Sequence, residues 1–165
     1  MDPVAAFERL FRAEYPRVAA IANRVLADPD AAEDVAQDVF VSFSGRHDAG
    51  APWAAAWLHQ AVAHAALNAL RGRTRRAKRE TAQAIPFGAT SPDPAESALE
   101  TERRAVARAA LARLPERTAT LLVLRYSGLS YAEVAAATGV GANQIGTLLR
   151  RAEAAFRKEV GDAFR

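Results

Sequence analysis

The sequence contains no cysteine, which excludes a disulfide framework and any thiolate metal site. Aromatic residues make up only 7% of the chain, although half of it is hydrophobic. Much of that half is alanine, the best helix former but a residue that buries little area. Such a composition favours thin helical modules over one deep globule. No apolar run reaches the roughly 18 to 20 residues that a membrane span requires. The opening MDPVAAFERLFRAEYPR lacks a basic segment followed by an uninterrupted apolar core, so no secretory signal is predicted. The expectation is a soluble, cytoplasmic chain with no membrane insertion. The sequence also lacks a phosphate-binding glycine loop and any paired nucleophile and base at recognisable spacing. His47, His59 and His64 do not form a metal-ligand set. No enzyme activity, cofactor or metal is expected.

What is present is charge, unevenly placed. The net charge of +3 is modest for 165 residues. Between Asp28 and Asp38, however, there are five acidic residues and no basic ones, and between Arg71 and Glu80 six basic residues and one acidic. A chain polarised in this way is suited to two partners of opposite charge.

Helical periodicity runs almost throughout, and no segment alternates with period two. Asp2 and Pro3 read as an N-cap and first helical residue, with Pro16 expected to kink or restart the helix and Asp28-Pro29 to stop it. Asp30 is expected to open the next helix, with Glu33 completing a capping box. A loop follows over Gly45–Pro52, and a third helix runs from there through Trp57 and Leu70 into the basic run. Residues 81–97 hold Pro86, Gly88, Pro92 and Pro94 without helical period and read as a flexible linker. They divide the chain into an N-terminal module, 1–80, and a C-terminal module, 98–165. Modules of this size bury only about 60% of their unfolded surface and gain from a partner. The linker spans at most about 60 Å, so the modules can touch separate sites on a long ligand. In the second module helices are predicted over Ala98–Leu114, Glu116–Tyr126, Tyr131–Thr138 and Asn143–Val160.

The segment LSYAEVAAATGVGANQIGTLLRRAEAAF has the pattern of a helix-turn-helix. Ser130 and Glu133 form a capping box, and Gly139 supplies a positive φ at the turn. Ile145, Leu148, Leu149 and Phe156 face inward on the second helix. Asn143, Gln144, Thr147, Arg150 and Arg151 face out, carrying groups able to read adenine or bind guanine and phosphate in a major groove. An ordinary helical hairpin with a solvated polar face is the structural alternative.

AEDVAQDVF at Ala32–Phe40, followed by Trp57-Leu58 and the basic run, resembles domain two of the extracytoplasmic-function sigma factors of bacterial RNA polymerase. The C-terminal part resembles their domain four in Leu114-Pro115, Leu124–Tyr126 and Gly128–Ser130. The resemblance implies an all-α fold of two small domains and a promoter-specificity subunit. It implies that Asp34, Gln37, Asp38 and Phe40 dock on the clamp helices of the polymerase's largest subunit. It places Gln60, His64, Asn68 and Arg71, with Arg73, Arg75 and Arg76, on the −10 element. It places Arg125, Ser130, Tyr131, Asn143, Gln144, Thr147, Arg150 and Arg151 on the −35 element. An anti-sigma factor is a further implied partner. The sequence departs from the family pattern at His64 and Asn68, and at Gly141, Gly146 and Leu148 of the recognition helix, where early basic residues are missing. The competing function is a freestanding helix-turn-helix repressor, in which the acidic helix has no role.

Overall fold

The computed structural model describes residues 2–81 and 97–163; most of the predicted linker lies outside them. Among the described residues there are seven helices and no strand. The first module comprises α1 (Pro3–Leu26), α2 (Pro29–Ser44) and α3 (Ala54–Thr81); the second comprises α4 (Ala98–Arg113), α5 (Glu116–Tyr126), α6 (Tyr131–Thr138) and α7 (Ala142–Ala163).

Local chemistry sets the helix ends. The Asp2 carboxylate accepts a hydrogen bond from the Val4 amide at 3.1 Å, with Pro3 at the first helical position. Pro16 neither ends nor restarts α1, contrary to expectation: the helix continues to Leu26. The hydrogen bond a proline removes is offset by burial of Val18, Ile21 and Val25 over the turns that follow it. The start of α2 also differs from expectation. Asp28, not Asp30, is the N-cap and accepts from the Ala31 amide at 3.2 Å, with Pro29 at the first helical position. Two acidic residues flank that proline, and proline's preference for the first turn selects the earlier one. Between α1 and α2, Ala27 takes a left-handed conformation (φ 50°) so that its amide can close on the Asn23 carbonyl.

Val18, Ile21 and Val25 of α1, Phe43 of α2, and Leu58, Val62 and Leu67 of α3 are fully buried at the centre of the first module. A second set of contacts ties α1 to α3: the buried His59 ring meets the Glu14 carboxylate at 2.8 Å. In the second module the buried run Ala119–Leu124 of α5 packs with Leu129, Val134, Ile145 and Leu149. Ser130 and Glu133 form a reciprocal capping box on α6, and Gly139 (φ 75°) turns the chain into α7.

The modules are not apart. α3 packs against α4, α5 and α6, and the buried apolar residues of both modules form one continuous core. Polar contacts cross the join as well. Arg17 of α1 holds Glu133 of α6 bidentately, at 2.5 and 3.2 Å. Arg71 of α3 donates to the Ala112 and Leu114 carbonyls at 3.3 and 2.9 Å, capping the C-terminal end of α4 where orphan acceptors and the negative dipole end attract a guanidinium.

Candidate nucleic-acid interface

Three surfaces carry the candidate residues. On α2, Asp34, Gln37 and Asp38 are exposed and share one side of the helix with Glu33, which accepts from the Gln37 amide. Phe40 does not share that exposure. It is 2% accessible and lies under the helix among Phe7, Phe11 and Tyr15, with ring centroids 5.0 to 6.2 Å away. Its expected part in docking is therefore corrected to holding α2 on α1, because a ring enclosed by three others has no face left for a partner. The remaining patch is a carboxylate-bearing helix side suited to a basic partner surface.

The second surface is α3. Gln60 and His64 are half-buried and Asn68 is exposed. The basic run beyond them divides into two kinds of arginine. Arg71 is committed to the end of α4. Arg73 donates to the Leu26 carbonyl and pairs with Asp28, both at 2.9 Å, tying α3 to the α1–α2 corner. Arg75 and Arg76 are exposed one turn further on, as are Lys78 and Arg79. Where α3 meets α4, burial lowers the pKa of Arg108, and the neighbouring charges of Arg73 and Arg104 lower it further. The end of α3 thus carries a dense positive field with exposed guanidinium groups, the chemistry of a phosphate contact.

Beside this helix lies an aromatic group outside the residues that the sequence places on DNA. His47 sits 4.8 Å from Trp57 and 5.5 Å from Trp53, and Phe43 closes the group from below. Trp53 is 48% exposed at the head of α3. A ring held edge-on by its neighbours and open on one side can stack on an unpaired base. The signal in the sequence was two tryptophans and a histidine crowded around a short loop.

The third surface is the helix-turn-helix. Asn143, Gln144, Thr147, Arg150 and Arg151 are all exposed on α7, while Ile145 and Leu149 between them are buried. Tyr131, at the start of α6, gathers the others. The Arg125 guanidinium lies 5.0 Å from its ring centroid, a cation–π contact, and Arg125 also donates to the Leu129 carbonyl. On the other side the Tyr131 ring lies over Gly146: a Cβ at that glycine would sit 3.6 Å from the ring and 4.0 Å from the Arg150 guanidinium. Five of the eight residues predicted here are therefore on the exposed face of α7; Tyr131 borders its N-terminal half, Arg125 lies against the Tyr131 ring, and Ser130 caps α6 beside it. Among the described residues no group of His, Asp and Glu is placed to hold a metal, and no helix is long and apolar enough to cross a membrane.

The family model for sigma-70 region 2 matches residues 10–76, and that for sigma-70 region 4 matches residues 104–156. No curated protein matches the sequence significantly. Among solved structures, the sigma factor RpoE of Bartonella quintana, determined in complex with the anti-sigma factor NepR, superposes with a TM-score of 0.56 at 23% identity. That match covers 94% of this chain and 96% of RpoE. With the acidic helix and its module matched as well as the helix-turn-helix, the chain belongs to the sigma-70 family, in the region-2-then-region-4 arrangement of the extracytoplasmic-function sigma factors.

Proposed function

We propose that the chain acts in the cytoplasm as a promoter-specificity subunit, with residues 1–80 and 98–165 as its two working domains and 81–97 as their tether. The single observation that carries this reading is the order of matched regions: a region-2 module followed by a region-4 module. A freestanding repressor needs only the second and leaves the exposed carboxylates of α2 without a purpose. In the proposed assignment Asp34, Gln37 and Asp38 meet the polymerase clamp helices. Gln60, His64 and Asn68 face the −10 element with Arg75 and Arg76 on its phosphates, and Trp53 offers a stacking surface to a melted base. The exposed side of α7, together with Arg125, Ser130 and Tyr131, reads the −35 element. The chain brings recognition and no catalytic step; bond formation belongs to the polymerase. RpoE was solved with an anti-sigma factor, and a partner of that kind is part of the proposal.

The test is reconstitution of the purified chain with core RNA polymerase and transcription from a randomised promoter library. Holoenzyme formation and a shared upstream sequence among the transcripts are the expected outcome. Absence of core binding, together with tight binding to duplex DNA alone, favours the repressor. Asp34→Arg with Asp38→Arg is expected to weaken core binding about 10-fold or more, because like charges juxtaposed across an interface cost several kcal/mol. Both side chains are exposed, so helicity should be unchanged. Unaltered core affinity would move the docking face elsewhere.

A further inference from the structure

Gly146 interrupts the recognition helix at a place where neither the backbone nor the packing demands glycine. Its φ lies outside the left-handed region, unlike those of Gly128 and Gly139. A Cβ added there would meet the Tyr131 ring at 3.6 Å and the Arg150 guanidinium at 4.0 Å, ordinary contacts that the fold can take. Glycine is nonetheless among the poorest helix formers. Residues three and four apart on a helix are neighbours, so Gly146 lies between Asn143 and Arg150, both exposed, on the side of α7 turned toward the start of α6. The missing side chain leaves a notch there. The α7 backbone is its floor, and the Tyr131 ring, 47% exposed, is one wall. Arg125 holds that ring from α5 through its cation–π contact at 5.0 Å. Arg150 turns toward Thr147, its guanidinium 3.4 Å from the hydroxyl. The Gly146 amide lies beyond the first turn of α7 and is bonded within the helix, so the floor has no donor for a phosphate.

The major groove presents one apolar group among its donors and acceptors, the C5 methyl of thymine. We propose that the notch at Gly146 receives a thymine methyl of the −35 element, seated against the Tyr131 ring, so that Gly146 and Tyr131 together set specificity at that base pair. The inference rests on the −35 reading of α7 and adds to it a base that its longer polar residues do not select. Asn143 suits adenine and Arg150 suits guanine or phosphate; neither senses a methyl. A longer side chain at position 146 would hold the helix away from the base edge, whereas glycine lets the backbone approach a ligand closely. The space gained is the size of one methyl, and the ring beside it removes that methyl from water.

The test compares thymine with deoxyuridine, which differs only by lacking the methyl. Each thymine in the −35 element of a promoter selected by the reconstituted holoenzyme is replaced singly, and affinities are measured by competition. Burial of one methyl corresponds to about 4-fold in affinity, and one thymine should show a loss of that size. Gly146→Ala fills the notch and Tyr131→Ala removes its wall; in each, thymine and deoxyuridine at that position should bind within about 1.5-fold of one another. Tyr131→Phe keeps the ring and should keep the discrimination. The ratio compares two DNAs on one protein, so a general loss of affinity in a variant does not affect it, and Gly146→Ala should be no less helical than wild type by circular dichroism. If no thymine is sensitive, the proposal is overturned. Discrimination that survives in Gly146→Ala overturns it too and places the methyl against Thr147, and discrimination that survives in Tyr131→Ala removes the ring from the site. If holoenzyme does not form but the chain alone binds duplex DNA, the sigma reading fails, and the same replacements in that duplex still decide the notch. A chain that binds DNA in neither form overturns both.

Discussion

Ala27 shows how one residue can be held against its own preference. Its φ of 50° lies in the left-handed region, where an L-residue with a Cβ is disfavoured by roughly 1 to 2 kcal/mol. It is held there because the chain must turn within two residues, from the last carbonyls of α1 to the Asp28 cap of α2. Arg73 reinforces the corner from α3, on the Leu26 carbonyl and the Asp28 carboxylate. Ala27→Gly should therefore stabilise the protein by about 1 kcal/mol despite the greater freedom of the unfolded chain. Thermal or urea unfolding reads this directly, and a loss of stability would show that the corner is not strained. At this scale the sequence was only partly legible. It marked a stop at Asp28-Pro29, but two acidic residues, Asp28 and Asp30, competed for the cap. The burial of Phe40 was hidden because helical spacing places it at the border of the apolar face, and only the rings of Phe7, Phe11 and Tyr15 decide which side it takes.

Among the elements, α6 carries the most chemistry for its length. Eight residues make a marginal helix in isolation, so its capping box and its neighbours must hold it. Glu133 serves both. The Arg17 guanidinium and the Ser130 amide hold its carboxyl at about 2, below the ordinary 4.5. A depressed carboxylate contributes stability that is complete above its unfolded value and is lost as pH falls through the folded one. The contribution of Glu133 should accordingly be full above about pH 4.5 and decline between there and about pH 2. With the side chain 39% exposed, solvent screening keeps the effect below about 1 kcal/mol. The measurement is unfolding free energy against pH for the wild type and Glu133→Gln. The two curves should converge in acid and separate toward neutrality; a constant gap would mean that the charge has no part in it. The bounds of α5 and α6 were readable from Pro115, Gly128, Ser130 and Gly139, since each performs a capping or turning role that few other residues can fill. The ion pair was not. Its partners are 116 residues apart, and an arginine on α1 and a capping glutamate each look complete without the other.

The whole molecule divides the basic residues of α3 between those tied to its own carbonyls and carboxylates and those left exposed, and that division is what the linear charge pattern could not reveal. Six cations in one run look equivalent in sequence. In the fold, Arg71 and Arg73 face inward to carbonyls and to Asp28, whereas Arg75 and Arg76 are exposed. The two classes should separate in a salt titration of the holoenzyme on promoter DNA. Each phosphate contact contributes about 0.9 to the slope of log K against log salt on duplex and about 0.7 on a single strand. Arg75→Ala with Arg76→Ala should thus lower the slope by about 1.4 to 1.8 while leaving unfolding stability within about 0.5 kcal/mol of wild type. Arg73→Ala should do the reverse: its salt slope stays near wild type, and stability falls by about 1 kcal/mol or more as the Leu26 carbonyl and Asp28 lose their partner. If Arg73→Ala lowers the slope as much as an exposed arginine does, its ties to the α1–α2 corner break on DNA and the basic run acts as one uniform surface. If neither substitution changes the slope, the phosphate contacts lie elsewhere, with the guanidinium groups around α7 as the next place to measure.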